Sequence, residues 1–431
     1  MPAAQRIEII NLGDELLEGI RVNGHLAYLG ALLGRHGLSI HRSQIIRDEP
    51  EDITRYFGQA WETADLVITT GGLGPTADDL TRETIAEVLG TELQFDDRVK
   101  AAMEDRFRKM GRTLTENNLR QCYVPAGAEM IPNHHGTAPG IFFEKAGKRL
   151  VMLPGPPHEL APMMERQVLP MLEKAGILHP GEPYLQLRSV GVGESGLEIL
   201  LAPLFKEHPG LRVAYCAHEG VVDVRLSSPD RSITQEALLR IGEACRDRLG
   251  EDFICFGDGT IANVVFDHLR STEKTLSIAE SCTGGLLSDS FTNIPGASKV
   301  FAGSVVCYNN DAKVQMLDVP ECLLEQHGAV SAECAVAMAT GAAERFSTDY
   351  ALSITGFAGP GGGNAEDPIG TIYIGYFSPS GVWSERLVFK GERTSVKRRG
   401  VNAALDVLRR KLKEFKVEDF MATLQQSGET S

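Results

Sequence analysis

The run LVITTGGLGPTADD at residues 66–79 contains the features that decide the fold of the first part of the chain. Its first five residues, Leu66 to Thr70, are apolar or β-branched and predict a buried strand. Three glycines follow, and a helical stretch begins near Asp79. A strand that leads through a glycine turn into a helix is typical of a parallel sheet covered by helices.

Two other segments of residues 1–170 repeat this pattern. The apolar run Ile7 to Leu12 leads into Gly13-Asp14-Glu15, and the run Arg149 to Leu153 leads into Pro154-Gly155-Pro156-Pro157 ahead of Glu159. Buried parallel strands are short continuous apolar runs of this kind. We therefore predict a parallel sheet with helices on both faces, with all three turns at the carboxyl ends of its strands, where such sheets bind ligands.

The rest of the chain forms two further sections. Residues 171–258 alternate as β-α-β-β-α, which indicates a small α+β module. Residues 259–415 again alternate strands with helices, and residues 416–431 form a polar tail. The predicted fold class is α/β, with two three-layer α/β/α domains, at 1–170 and 259–415, joined by the small α+β module.

Composition limits the classes of function. The 431 residues include 43 Lys plus Arg and 58 Asp plus Glu, a net charge of −15, which disfavours direct contact with nucleic acid. No apolar run is long enough to span a membrane, and the N-terminus lacks the charged-then-apolar pattern of a signal peptide. The eight cysteines include no Cys-x-x-Cys pair. We predict a cytoplasmic protein with reduced thiols and no membrane contact.

The glycine loop at 71–74 has the properties of an anion site. Glycines allow close approach to a ligand, the N–H groups at a helix start attract anions, and Thr76 adds a hydroxyl donor. Asp78 and Asp79 suit a phosphate only with a divalent cation between them and the phosphate oxygens. The alternative is that Asp78 merely caps the helix. The spacing is not that of a Walker triphosphate loop.

The motifs LGDELLEG, TTGGLGPTADD and PGPPHE resemble the molybdopterin-binding-like domain of molybdenum cofactor synthesis proteins, and most of all the amino-terminal domain of the competence/damage-inducible (CinA) family. The resemblance implies hydrolysis of ADP-ribose to AMP and ribose 5-phosphate with a divalent metal ion. It leaves open which acid binds metal and which activates water. Carried over residue by residue, it implies substrate contacts at Gly71, Gly72, Gly74, Thr76, Asp14, Gly155 and Glu159, and metal contacts at Asp78 and Asp79.

A second candidate site begins at the strand TLSIAES, residues 275–281. Ser281 stands at a strand-to-helix turn, where nucleophiles are often presented. The N–H groups of Thr283, Gly284 and Gly285 are candidate oxyanion donors.

The serine needs a base, and Lys313 follows the next predicted strand. Desolvation of a buried lysine favours its neutral form, which can take the serine proton. With Tyr308 in the proton path, the pair is sufficient for an amidase.

Several rival interpretations remain open for this site. Ser281 could be a helix N-cap and Lys313 a solvated surface charge. Cys282 is a rival nucleophile, because a thiol at a helix start has a lowered pKa. Ser271 to Lys274 also has Ser-x-x-Lys spacing, but it lies in a polar turn without the partner motifs. The glycine loop that includes Gly356 and Gly359 predicts a substrate contact, with an unliganded mobile loop as the alternative.

AESCTGG, YNNDAK and TGFAGPGGG resemble the carboxy-terminal CinA domain, the nicotinamide mononucleotide deamidase family. The resemblance implies conversion of nicotinamide mononucleotide to nicotinate mononucleotide and ammonia without a cofactor, with Ser281 as nucleophile, Lys313 as base and Tyr308 as its helper. Asn309 and Asp311 depart from the Tyr-Ser-Asn-Glu-x-Lys common in the family, so the fine tuning of the pocket can differ.

Two alternatives from other classes stand beside this bifunctional enzyme. The first domain could be a nucleotide- or pterin-binding scaffold linked to competence, without catalysis. The last domain could be a peptidase-like Ser-Lys hydrolase. By analogy with related domains we also expect a homodimer.

Overall fold

The computed structural model describes residues 5–36, 38–76, 79–178 and 183–428, with side chains described as far as Leu412. The chain forms two compact units, Met1–Glu182 and Pro183–Ser431. Within the described ranges, no helix is both long and apolar enough to cross a membrane.

The first unit contains a six-stranded sheet with the order β2-β1-β3-β8-β7-β6. The first four strands are parallel, as predicted, but β7 pairs antiparallel with both of its neighbours, β8 and β6, so the sheet is mixed. A two-residue Ala146-Gly147 turn, with φ of 52° and 79°, causes the reversal by joining β7 to β8. The strands of the unit are β1 (Ile7–Leu12), β2 (Ile40–Ile46), β3 (Leu66–Thr70), β4 (Leu93–Phe95), β5 (Tyr123–Pro125), β6 (Glu129–Ile131), β7 (Gly140–Lys145) and β8 (Lys148–Leu153). Of these, β4 and β5 form a separate two-stranded antiparallel sheet.

Helices cover both faces of this sheet because the central strands are apolar on both sides. Ile7 and Ile9 of β1 pack into one buried cluster, whereas Ile10 and Leu12 pack into another. A three-layer arrangement follows. The helices are α1 (Asp14–Leu17), α2 (His25–Arg35), α3 (Pro50–Thr63), α4 (Thr81–Leu89), α5 (Asp97–Lys109), α6 (Pro157–Met163) and α7 (Leu169–Lys174), with a 3-10 segment at Glu116–Cys122 and a π-helical turn at Met164–Val168.

The second unit begins with a four-stranded antiparallel sheet in the order β10-β11-β9-β12, packed against two helices. Its order of elements starts as the predicted β-α-β-β-α and adds a fourth strand. The elements are β9 (Tyr184–Val190), α8 (Glu194–Phe205), β10 (Arg212–His218), β11 (Val221–Ser227), α9 (Gln235–Leu249) and β12 (Phe253–Phe256).

A five-stranded sheet, β14-β13-β15-β16-β17, forms the rest of the second unit. The parallel strand β13 lies between β14 and β15, so the segments after these three strands meet at one edge. Ile278 packs into one buried cluster and Ala279 into another, on opposite faces. The elements are α10 (Ile261–Ser271), β13 (Leu276–Glu280), α11 (Leu286–Thr292), β14 (Phe301–Val306), α12 (Asn310–Leu317), α13 (Glu321–His327), α14 (Ala332–Phe346), β15 (Tyr350–Gly356), β16 (Thr371–Ser378), β17 (Gly381–Val388) and α15 (Arg393–Gly428).

Candidate functional site

Ser281 and Lys313 are in direct contact. Ser281 follows the last residue of β13, and the Lys313 Nζ atom lies 3.2 Å from the Ser281 Oγ atom. Ser281 is 8% exposed and Lys313 is 1% exposed. The interpretation of Lys313 as a solvated charge is therefore wrong. Helix α11 begins at Leu286 with Gly285 as its N-cap, so Ser281 is not the N-cap either.

Helix α12 determines where the lysine lies. The Asn309 side chain accepts a hydrogen bond from the N–H of Ala312 at 2.8 Å and caps this helix. Lys313 lies on its first turn, and Nζ also donates to the Cys307 carbonyl at 3.0 Å. Among the described ion pairs, none involves Lys313. The amine is therefore held by one carbonyl and one hydroxyl.

The turn after Ser281 has most of its N–H groups occupied. Gly284 donates to the Ser281 carbonyl at 3.2 Å, and Gly285 donates to a carboxylate oxygen of Glu280 at 3.0 Å. The prediction that these two glycines supply oxyanion donors is therefore not supported by their partners. Thr283 is 1% exposed, and its Oγ1 has no hydrogen-bond partner among the described residues. Among the described residues, Thr283 is the predicted donor without a hydrogen-bond partner, and its side chain is buried.

The surroundings of Cys282 disfavour the thiolate form of its side chain. Burial raises the pKa of its thiol to about 12, and the nearby negative charge of Glu280 acts in the same direction. A thiolate is the reactive form of cysteine. The expectation of a lowered pKa for Cys282 was wrong because the thiol is buried rather than presented at an open helix start.

Tyr308 contacts a cation instead of the serine–lysine pair. Its ring is 61% exposed, and its hydroxyl accepts a 2.8 Å hydrogen bond from Arg393. Arg393 also donates to the Gly359 carbonyl at 2.6 Å. Arg393 therefore joins the segment after β14 to the glycine loop after β15. In the described part of the chain, no hydrogen bond joins Tyr308 to Ser281 or Lys313.

Gly356 has a packing role in the structure. A Cβ atom at this position would lie 2.4 Å from the Thr371 carbonyl oxygen of the paired strand. Of the two predicted glycines of this loop, Gly359 is thus the one tied to the site, through Arg393.

In the first unit, the three predicted turns meet at a cleft of about 620 Å³. Its wall includes Gly71, Gly72, Gly74, Gly155 and Glu159. Close packing explains the first glycine: φ is 101° at Gly71, and a Cβ atom there would lie 2.3 Å from the Leu12 carbonyl. Asp14 is exposed and absent from the wall, where its neighbour Glu15 lies instead.

The acids of this cleft are held in different ways. Asp79 accepts hydrogen bonds from the backbone N–H of Thr76, at 3.0 Å, and from its hydroxyl. Glu159 accepts from Asn133 at 2.6 Å. Burial raises the pKa of Asp48 to about 6, against the hydrogen bond from Thr81, which lowers it.

The described residues do not by themselves form a metal site. Within the described ranges, no three His, Cys, Asp or Glu side chains lie where they could share one ion. Asp78, one of the two predicted ligands and the alternative helix cap, lies outside the described residues. The Asp79 carboxylate already accepts two hydrogen bonds from Thr76. The divalent cation stays a prediction.

Several residues at these sites were missed by sequence reasoning. His25, in the wall of the first cleft, hydrogen-bonds Thr70 at 2.9 Å, and burial lowers its pKa. Asp48 carried no motif that could have identified it. Arg393 lies 85 residues from Tyr308, and no local pattern links them. Glu280 offered one signal, because a charged residue at the end of an apolar strand needs buried partners.

The fold and these two strand-end sites define an α/β protein. Three family models match the chain: the probable molybdopterin binding domain at 8–174, the damage-inducible protein CinA KH domain at 186–255 and the CinA C-terminal domain at 258–412. The division into three domains predicted from sequence stays a prediction.

Relatives that align with nearly the whole chain are named CinA-like proteins. A CinA-like protein of Dictyoglomus thermophilum is 39% identical, covering 94% of this chain and 99% of its own. Another from Kosmotoga olearia is 38% identical, over 94% and 99%. The crystal structure of a competence/damage inducible protein from Agrobacterium tumefaciens is 36% identical over 36% of this chain and 97% of its own, with a TM-score of 0.35. The chain belongs to the CinA family.

Proposed function

We propose that the C-terminal part of the second unit is a nicotinamide-nucleotide amidase that converts nicotinamide mononucleotide to nicotinate mononucleotide and ammonia. The observation that carries the proposal is the 3.2 Å contact between Ser281 Oγ and Lys313 Nζ, with both residues buried. Buried serine–lysine pairs suit acyl transfer, because the amine can take the hydroxyl proton during attack.

The proposed reaction has two halves. Ser281 Oγ attacks the carboxamide carbon while its proton passes to the neutral amine of Lys313, and a tetrahedral oxyanion forms. Lys313 then returns the proton to the leaving nitrogen, the C–N bond breaks and ammonia departs. Water attacks the resulting acyl-serine, again with Lys313 as base, and releases the carboxylate and the free serine.

Arg393 favours a phosphate-bearing substrate over a peptide. Its guanidinium is exposed at the edge of the sheet where Ser281 and Lys313 lie. It donates hydrogen bonds to the Tyr308 hydroxyl and the Gly359 carbonyl. Among the described residues, Tyr308 and Gly359 are its hydrogen-bond partners, which leaves N–H groups that can bind a phosphate. Tyr308 is accordingly proposed to position Arg393, whereas the sequence suggested a place for it in the proton path.

Ammonia release tests this proposal. The parent protein, Ser281→Ala and Lys313→Ala are compared on nicotinamide mononucleotide, nicotinamide riboside and a peptide amide. Ser271→Ala is the matched control, because that hydroxyl donates to the His268 carbonyl in the discounted Ser-x-x-Lys segment. We expect both site variants to lose turnover and the control to keep it. Parental ammonia release by Ser281→Ala, or a preference for the peptide amide, would exclude the proposal.

We propose that the first unit binds ADP-ribose by its pyrophosphate and hydrolyses it to AMP and ribose 5-phosphate with a divalent cation. The convergence of three strand-end turns on a 620 Å³ cleft supports a nucleotide ligand. The alternative, a binding scaffold, is separated from catalysis by calorimetry followed by chromatography of the products.

The cation is tested in the same experiment. We expect binding and AMP formation to require magnesium or another divalent ion and to fall in Asp79→Asn. The exposed Glu173→Gln of the same unit is the control. Product formation undiminished in EDTA would exclude the metal-dependent mechanism, whereas binding without products would favour the scaffold.

We further propose that the protein is a homodimer, an expectation that comes from related domains alone. Light scattering of the full chain at micromolar concentration distinguishes a dimer from a monomer.

A further inference from the structure

Glu280, the residue before the serine, is a completely buried carboxylate with four hydrogen-bond donors around it. Its relative exposure is 0%. One oxygen accepts from the N–H groups of Gly285 and Leu287, each at 3.0 Å. The other accepts from the N–H of Ser288 at 2.8 Å and from its hydroxyl at 2.5 Å. Glu280 thus occupies the N–H groups that begin helix α11.

These hydrogen bonds determine which donors remain at the nucleophile. The first N–H groups of a helix lack partners within the helix and are ready anion donors. Here the Glu280 carboxylate accepts hydrogen bonds from those of Gly285, Leu287 and Ser288. The Ser281 N–H donates to the Ile354 carbonyl at 2.9 Å, and the Gly284 N–H is also occupied. In the described part of the chain, neither the N–H nor the Oγ1 of Thr283 has an acceptor or partner.

We propose that Glu280 is a positioning residue for Ser281: by accepting hydrogen bonds from the N–H groups that begin helix α11, its carboxylate fixes the turn that presents the serine. The inference rests on the proposed amidase function and names one further residue of that site. A carboxylate is required because all four contacts come from donors, and only an acceptor-only group satisfies them. A glutamine would turn its own N–H groups toward backbone N–H groups.

Glu280→Gln tests the positioning role, with Ser288→Ala as the matched control. The control removes one donor but leaves the carboxylate and its three backbone contacts. Three quantities are measured on the full chain: kcat and KM for nicotinamide mononucleotide, the labelling rate of Ser281 by a fluorophosphonate, and the fraction of reactive serine by titration with that reagent.

We expect Glu280→Gln to lower kcat and the labelling rate per reactive serine by roughly 10²-fold, because a misplaced reacting group has an effect of this size, with KM nearly unchanged. Ser288→Ala should stay near the parent. A role confined to folding would instead reduce the titrated fraction while each remaining serine reacted normally, and this result would overturn the proposal.

Two further outcomes distinguish a failure of the positioning role from a failure to fold or a failure of the proposed amidase function. If Glu280→Gln does not fold, Glu280→Asp keeps the charge but shortens the reach by one methylene, and labelling at the parental rate would then overturn the proposal. If the parent releases no ammonia, yet its Ser281 is labelled and Glu280→Gln slows that labelling, the amidase function fails and the positioning role stands.

Discussion

Replacing Lys313 by methionine should separate catalysis from stability. The lysine is 1% exposed and makes hydrogen bonds through Nζ to Ser281 at 3.2 Å and to the Cys307 carbonyl at 3.0 Å. Methionine is an unbranched apolar side chain of similar length, so it fills the same space without a large cavity. The change therefore removes the amine and little else.

The expected magnitudes follow from these contacts. Loss of a general base costs about 10²–10⁴-fold in rate, so kcat should fall by at least two orders of magnitude. An unpaired Cys307 carbonyl costs about 1–3 kcal/mol, but removal of a buried amine without an ion-pair partner offsets part of this cost. We expect a net loss of stability below about 2 kcal/mol, or a fall in Tm of less than about 8 °C for a unit of this size.

The assay measures ammonia release and thermal unfolding on the same preparations. Lys299→Met is the matched control, because Lys299 is exposed on the same domain. A Lys313→Met enzyme that stays folded and retains kcat within about tenfold of the parent would refute the assignment of Lys313 as the base. Equal losses in the Lys299 control would show that the effect is not specific to the site.

Three further variants test the electrostatics of the two sites. Cys282→Ala should retain kcat within about threefold and iodoacetamide should not inhibit the parent, since a buried thiol with a pKa of about 12 is not a nucleophile; loss of acyl-enzyme in the variant would contradict this. Arg393→Ala should raise KM for nicotinamide mononucleotide by roughly 10–100-fold, because the variant loses charged hydrogen bonds to the phosphate. KM for nicotinamide riboside, which has no phosphate, should not change. Equal effects on both substrates would contradict phosphate binding. Asp48→Asn should raise the free energy of unfolding of the first unit by about 1 kcal/mol at pH 8, a value reduced to allow for the partial exposure of Asp48. At pH 4 the effect should be small. The sign follows because a carboxyl whose pKa is raised to about 6 is destabilising once ionised, above its folded pKa, and thermal unfolding of Asp48→Asn and parent across this pH range measures it.

The parallel strands were predictable because their burial leaves a direct signal. The apolar runs Ile7–Leu12 and Leu66–Thr70 are the observed β1 and β3. The hairpin of β7 and β8 was missed, since its Ala-Gly turn is a weaker signal than Asn-Gly. Helix α12 was also missed. Asn309 caps it, but its eight residues have no apolar stripe that would predict a helix.

The sequence could predict that Ser281 and Lys313 lie near each other, because strand topology determines this, but it could not predict their direct contact. Adjacent parallel strands bring their carboxyl ends together, so the serine and the segment after β14 had to be neighbours. The 3.2 Å contact depends on the rotation of helix α12 about its axis, which packing sets. Gly284 and Gly285 were predicted as oxyanion donors because the sequence could not show that the Ser281 carbonyl and the Glu280 carboxylate accept their N–H groups.

The two sites place their acids differently, and this difference determines which chemistry each can support. In the second unit Glu280, the residue before Ser281, is buried and its carboxylate accepts hydrogen bonds from backbone N–H groups, whereas the cation Arg393 is exposed beside the site. The Arg393 guanidinium would attract a phosphate there without a metal ion. Among the described residues of the first unit, the cleft wall carries four acids, Glu15, Asp48, Asp79 and Glu159, and one arginine, Arg21. A pyrophosphate would be repelled by these acids unless a cation entered with it, because like charges in a partly buried cleft are weakly screened. The same strand-end geometry therefore supports covalent catalysis by a serine in one unit and a cation-dependent nucleotide site in the other.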